Sequence, residues 1–337
     1  MKIKYMIAFQ VIYLITSTAS LLSIPIPIVK LKELVNESNF IVRGVLHSAH
    51  EVKKITVNVS GIETSATIYE AEINPIEVLK GEKKYESILI HYVVTDQFVG
   101  YRGVDLNSPR ILFLKKKDND STYVFTNDYF RTAITTDGAI KKGDSSYEFV
   151  ISEIASAIIS NEIGVNQKLL AIFNLEYCDH PFVNSALKHA INDANRDVRL
   201  TAVAILLEHN DISVFSIAEQ NILDKHYNPQ DYLQANLVNA IGSGIKNEEA
   251  IPYLARMLRA NNNEVRRAAL NALDRIATNK TLPPLAYALD DSDTLNRYIA
   301  MRAISRITRI SDWEPSNDNN DSKYLKLWKQ WAKDNIK

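Results

Sequence analysis

From about Leu31 to Gly143 apolar residues fall in short Val, Ile and Tyr-rich runs, separated by turn formers. That spacing predicts strands at Phe40 to Ser48, Ile55 to Val59, Ala66 to Leu79, Ser87 to Val94, Arg110 to Lys116 and Thr122 to Phe125. Ile88, Ile90, Tyr92 and Val94 alternate with polar residues, as in a sheet buried on one face. Lys30 to Ser38 reads as a short leading helix with Leu31, Leu34 and Val35 on one side. Strands of this number must hide their edges, and a small OB-like antiparallel barrel does so.

After Gly143 the period changes to Ala/Leu/Ile-rich helices with short Asn/Asp turns, the boundary falling between Thr136 and Ser146. Self-alignment places Arg199, Tyr232, Arg266 and Arg297 in one column, with Ala202, Ala235, Ala269 and Ala300 three residues on. Leu187, Gln220, Leu254 and Leu285 precede the alanines by fifteen residues, and Leu206, Asn239, Leu273 and Ile304 follow them by four. Each unit reads as two helices, clearest at Glu249 to Arg259 and Glu264 to Ala277, and unit two is degenerate. Small alanines let helices approach while leucines fill the seam. Tyr147 to Glu162 is expected to precede the stack as a helix. Tyr324, Trp328 and Trp331, opposite Lys323, Lys326, Lys329 and Lys333, are expected to cap its far end.

The phrases Asp197-Val198-Arg199-Leu200-Thr201-Ala202 and Glu264-Val265-Arg266-Arg267-Ala268-Ala269, with Ala250-Ile251-Pro252-Tyr253-Leu254 before the latter, resemble HEAT repeats over roughly residues 182–310. The resemblance implies a curved α-solenoid whose inner face binds partners. Ser38 to Val45, Ile76 to Gly81, Ser87 to Val94 and Ile111 to Leu114 resemble the barrel of netrin-like and metalloprotease-inhibitor modules. This stretch lacks the amino-terminal cysteine wedge of those inhibitors, so protease inhibition is not carried over. The expected fold is therefore α+β and multidomain: a signal peptide at 1–20, a β-barrel domain at 30–143, HEAT-like repeats at 147–310 and a capping helix at 321–335.

Composition narrows the partner. Lys plus Arg number 39 against 40 Asp plus Glu, and the longest like-charged block is Lys115-Lys116-Lys117, so nucleic acid is not expected. Lys2 and Lys4, the apolar run Met6 to Ile15 and the small residues Thr16 to Ser20 read as a cleavable export signal, with no stable membrane span after cleavage. Periplasmic or extracellular location follows, although Cys178, the one cysteine, cannot pair within the chain.

Candidate chemistry is sparse. Gly242-Ser243-Gly244 follows a helix and reads as a helix end rather than a phosphate loop. His47 and His50 point to opposite faces of a strand, and Cys178 and His180 share an inter-helix turn, so neither pair is expected to bind metal or catalyse. Asp118 to Ser121 and Asp290 to Asp293 read as turns rather than calcium loops. Phe98 to Gly103 is a candidate contact loop. The column arginines are expected to tie units through turn carboxylates such as Asp197 or Asp293. No enzyme activity, metal or cofactor is expected. Arg199, Gln234, Asn236, Arg267, Asn271 and Arg297 are the candidate residues of a polar surface for a protein or peptide partner. The alternatives are an exported enzyme or ligand-binding protein with its site in the barrel, or a binding barrel with the helices as a spacer.

Overall fold

The computed structural model describes residues 29–336, apart from 60, 83–85, 96–106, 118–121, 224–226, 314 and 316–320. The expected signal segment, the Asp118 to Ser121 turn and the Phe98 to Gly103 loop lie outside the described residues. Packing divides the chain into two units, Met1–His189 and Ala190–Lys337.

The first unit opens with helix α1 (Leu31–Glu37) and strand β1 (Phe40–Val59). The strand is continuous where two were expected, because it forms one arm of a long hairpin with β2 (Ile62–Lys80). Glu51, Lys53 and Lys54 lie in its exposed outer half, where their polarity mimics a turn in the sequence. Then come β3 (Ile88–Val94), β4 (Pro109–Lys116), β5 (Tyr123–Phe125) and a three-residue β6 (Thr132–Ile134) not anticipated from the pattern.

Strand β1 pairs with both β2 and β4, and β3 pairs with β5 in parallel, so β1-β2-β3-β5-β4 close into a ring, with β6 added beside β4. Phe40, Val42, Leu46, Ile73, Ile90 and Leu112 belong to one buried apolar cluster. Four consecutive residues, Ile111 to Leu114, are fully buried, so this stretch of β4 is covered on both faces and loses the usual alternation. Gly44 is required where β1 shifts register against β2. A Cβ there would lie 2.7 Å from Ile73 Cγ2 and 2.9 Å from the Asn74 carbonyl oxygen.

Three helices complete this unit: α2 (Ser146–Ile159), α3 (Val165–Asn174) and α4 (Pro181–Ala190). The Ser145 hydroxyl caps α2 by accepting from the Glu148 amide. Helix α2 packs on α3 and touches β2 and β6, while α3 lies against β6.

The second unit contains α5 (Arg196–Glu208), α6 (Phe215–Ile222), α7 (Tyr232–Gly244), α8 (Ile251–Met257), α9 (Asn263–Ile276), α10 (Leu282–Tyr287), α11 (Thr294–Thr308) and α12 (Asp321–Asn335). Helices α5, α7, α9 and α11 stack side by side in that order. Each starts at an Asn or Asp cap, Asn195, Asp231, Asn262 or Asp293, whose side-chain oxygen accepts amide hydrogens of the first turn.

The stack corrects the place of unit two in two repeat columns. Ala202, Ala269 and Ala300 are fully buried, whereas Ala235 is only half-buried and Leu237 occupies the equivalent fully buried place. On the first helices Ala218, not the exposed Gln220, matches Leu254 and Leu285. From Ala218 to Leu237 is nineteen positions, against fifteen from Leu254 to Ala269 and from Leu285 to Ala300. Unit two therefore carries four extra residues in its inter-helix turn. An alignment that assumed equal turns placed one column two residues late and the other two residues early.

The chain ends on an aromatic cluster. Trp328 is fully buried, with its indole ring edge-on to Trp313 at 5.2 Å and to Trp331 at 5.7 Å. Its Nε1–H donates to the Trp313 carbonyl at 2.9 Å, and α12 packs on α10 and α11. The aromatic residues thus cover the end of the stack.

Candidate interaction surface

The column arginines hold turns. Arg199 Nη1 donates to the carbonyls of Asp193 and Ala194, both at 2.8 Å. Arg266 Nη1 reaches those of Ala260 and Asn261 at 2.9 and 3.0 Å, and Arg297 Nη1 those of Asp291 and Ser292 at 2.9 and 3.2 Å. Every acceptor lies five or six residues before its arginine, in the turn that joins the two helices of the same pair. In pair two Gln234 takes this role: its Oε1 accepts from the Asn228 amide at 2.7 Å and its Nε2 donates to the Asn221 carbonyl at 2.9 Å. A fork with five donors satisfies several orphan carbonyls at once. The expected tie to turn carboxylates is seen at Arg266, which also grips Asp291 of the next pair.

Other bonds join pair to pair. Arg196 meets Asp231 at 2.6 Å, and Arg256 holds Glu219 through two bonds of 2.7 and 2.8 Å. Arg267 Nη2 lies 3.6 Å from Asp293, and its Nε donates weakly to Asn296. Asp274 of α9 receives Arg306 at 2.6 Å and lies 3.6 Å from Arg302, both on α11. Gly242 faces Ala268 across the α7–α9 contact, and Gly244 sits where any Cβ would strike the Leu207 and Glu208 backbone of α5. The Gly-Ser-Gly stretch is thus the closing turn of α7 and a point of close helix approach.

The six candidate residues fall into two groups. Arg199, Gln234 and Arg297 use their polar atoms on the turns described above, and Gln234 is buried. Asn236 and Arg267 are half-buried on α7 and α9, and Asn271 is exposed on α9. Helix α5 offers little surface, since every residue from Leu200 to Leu207 is buried. The outward-facing polar row is carried by α7, α9 and α11, where Ser243, Asn271, Arg275, Arg302 and Arg306 are exposed. Arg302 and Arg306 were not singled out from the sequence, although their four-residue spacing on one helix face was a readable signal.

The remaining motifs have local partners. Burial pushes the Cys178 thiol up, offset in part by a hydrogen bond with Tyr147, and His180 lies 3.6 Å from Glu148 and against the Phe182 ring. His50 and His91 flank Glu70 on three adjacent strands, with Nε2 atoms 3.2 and 2.7 Å from its two oxygens. Among the described residues no group of three or more His, Cys, Asp and Glu side chains has metal-binding geometry. Nor is any described helix long and apolar enough to cross a membrane.

One polar cluster could not be read from the sequence. Glu153 of α2 is fully buried, 3.6 Å from Arg43 Nε of β1, and accepts from the Thr135 hydroxyl at 3.2 Å. Arg43 Nη1 in turn donates to the carbonyls of Thr136, Asp137 and Ala139. Burial pushes the Glu153 carboxyl up to about 7 against the opposing pull of Arg43 and Thr135.

Residues 220–305 match a family model described as HEAT repeats, which gives the second half of the chain HEAT-repeat character. Among solved structures, human deoxyhypusine hydroxylase in complex with glycerol is similar at 14% identity over 55% of this chain and 95% of that one. The TM-score is 0.25, too low to carry an argument about shape or activity. A search of curated proteins gives no match.

Proposed function

We propose that this chain is an exported, non-catalytic scaffold whose repeat helices bind a protein or peptide partner. The observation that carries this reading is the side-by-side stack of α7, α9 and α11. Its buried positions are mostly apolar, and its outward row is polar, as in repeat modules that reuse one geometry to make an extended binding surface. The HEAT-repeat match supports the same class, since such repeats generally serve protein interaction. Asn236, Arg267 and Asn271 keep their candidate role on this surface, while Arg199, Gln234 and Arg297 support it by fixing turns. The strand ring, with its 1-2-3-5-4 order and parallel β3–β5 pair, supports an OB-like barrel in the first unit. The lysine-flanked apolar run at the start of the sequence supports export.

The test is retention of envelope proteins from the native host by the chain and by its Asn236→Glu/Asn271→Glu variant. The reading expects retained proteins that the variant loses at unchanged Tm. Retention of nothing by the unaltered chain, or equal retention by both, would sink it.

A ligand site in the barrel is the second reading. Its single support is the buried Arg43–Glu153 pair, whose carboxyl has the raised pKa that functional groups often show. A small-molecule screen by ligand-induced change in Tm, with Glu153→Gln as the control, tests it. A hit whose effect the variant abolishes would favour it over the scaffold.

A further inference from the structure

We propose that the cleft at the end of α11 is a binding site for an acidic peptide segment of the partner, with Arg302, Arg306 and Arg309 as its carboxylate receptors. This rests on the scaffold reading and assigns the chemistry of what that surface recognises. The cleft has a volume of about 650 Å³ and is lined by Arg302, Ser305, Arg306, Arg309 and Ser311. The arginines stand at i, i+4 and i+7, so one helix face and its C-terminal turn present three guanidiniums together.

Their charge is incompletely answered. Asp274 is the only carboxylate paired with Arg302 and Arg306 among the described residues, and it is shared between them. Arg309 is exposed, in the left-handed cap position at φ 61°, and has no partner among the described residues. Among the described residues, the ion pairs of these three arginines thus involve one shared carboxylate, in a chain whose formal net charge is -1. Ser305 is already committed, its hydroxyl donating to the Ile310 carbonyl at 2.8 Å, and this bond fixes the turn that carries Arg309.

The geometry favours peptide carboxylates. Guanidinium forks match planar carboxylates through paired N–H···O bonds. Nucleic acid would need a longer basic track, and the outward row next along the stack has the uncharged Ser243 and Asn271 beside Arg275, whose Nη1 is taken by the Gly242 carbonyl. Asp274 then acts as an internal stand-in for the ligand, holding two arginines in place at the cost of affinity.

The test is fluorescence anisotropy of a labelled octaglutamate peptide against the full chain, with octalysine and inorganic phosphate as comparison probes. Saturable binding that weakens with added NaCl is expected, with octalysine unbound and millimolar phosphate displacing little of the peptide. Arg309→Glu should weaken binding about fivefold or more, the equivalent of an exposed charge contact of about 1 kcal/mol. Asp274→Asn should tighten it, and this opposite sign separates recognition from unfolding, which would weaken both variants. Absence of saturable binding, equal affinity of Arg309→Glu, weaker binding by Asp274→Asn at unchanged Tm, or full displacement by phosphate would each overturn the assignment. If the chain still retains a partner through Asn236 and Asn271 while octaglutamate fails, this site is refuted and the scaffold reading stands.

Discussion

Arg266 reaches Asp291 of the following helix pair through Nε–Oδ2 at 2.7 Å and Nη2–Oδ1 at 2.9 Å, while its third nitrogen holds the turn of its own pair. The two side chains are 11% and 3% exposed, so this bidentate contact is shielded from water. One residue therefore shapes a unit and docks the next.

Replacing Asp291 by Asn should cost about 3 kcal/mol, because it leaves a nearly buried guanidinium without its charge partner. Burial alone would raise the Asp291 carboxyl, but hydrogen bonds from Arg266, the Asp293 amide and Asn296 outweigh it and hold the carboxyl low. A carboxyl lowered by folding stabilises above its unfolded value and ceases to do so as pH falls through its folded value. Urea titration at pH 7 and pH 3 should show the difference between chain and variant shrinking in acid. Full stability of Arg266→Lys at pH 7 would show that the fork geometry is not needed.

Glu153 predicts the opposite slope. Its folded carboxyl titrates at about 7 against an ordinary 4.5, so the folded unit binds the extra proton between those values. Stability from this group is greatest below about 4.5 and declines until about 7, by roughly 3 kcal/mol for the difference in pKa. Glu153→Gln should flatten that decline, read as Tm of the first unit between pH 5 and 8. Parallel curves for chain and variant would contradict the assignment.

The corrected repeat column makes a paired prediction. Leu237→Ala should lose about 3 kcal/mol through an unfilled cavity, while Ala235→Ser should change stability by less than about 0.5 kcal/mol. Thermal unfolding of both variants decides the register. Reversed magnitudes would restore Ala235 to the ladder.

Trp328→Ala should uncover the end of the stack, with a cost of about 4 kcal/mol. Limited trypsin digestion would show faster cleavage at Lys326 and Lys329. Trp328→Phe, which keeps a ring but loses the bond to Trp313, should fall between. A digestion pattern unchanged by the alanine would mean that the helix is held elsewhere.

Much of the helical half was legible because pairs three and four keep equal turns, so Leu254, Ala269, Leu285 and Ala300 repeat without slippage. Pair two blurred because its longer turn displaces its two helices in opposite directions in the alignment. Strands β2 and β3 could be read from alternation and β4 from its apolar run, but β1 was divided where Lys53 and Lys54 interrupt it, and β6 is too short to leave a period. The turn-holding role of the column arginines was half legible. Arginine at a fixed place suggested binding of turn carboxylates, as Arg266 does at Asp291, but the acceptors common to all three arginines are backbone carbonyls, which carry no signature in the sequence. The Arg43–Glu153 pair was hidden altogether, since only the fold brings β1 and α2 together.

The strand ring has a further meaning for solubility. The hairpin gains an outer partner on one side at a time: β4 along Phe40 to Val45 of β1, and β3 along Thr67 to Ile73 of β2. Beyond those contacts, from about Ala49 to Ala66, the described strands are partnered only by each other. The exposed part of this arm is where a second chain could add a strand, and Glu51, Lys53 and Lys54 stand along it as charged sentries that make such self-pairing unfavourable.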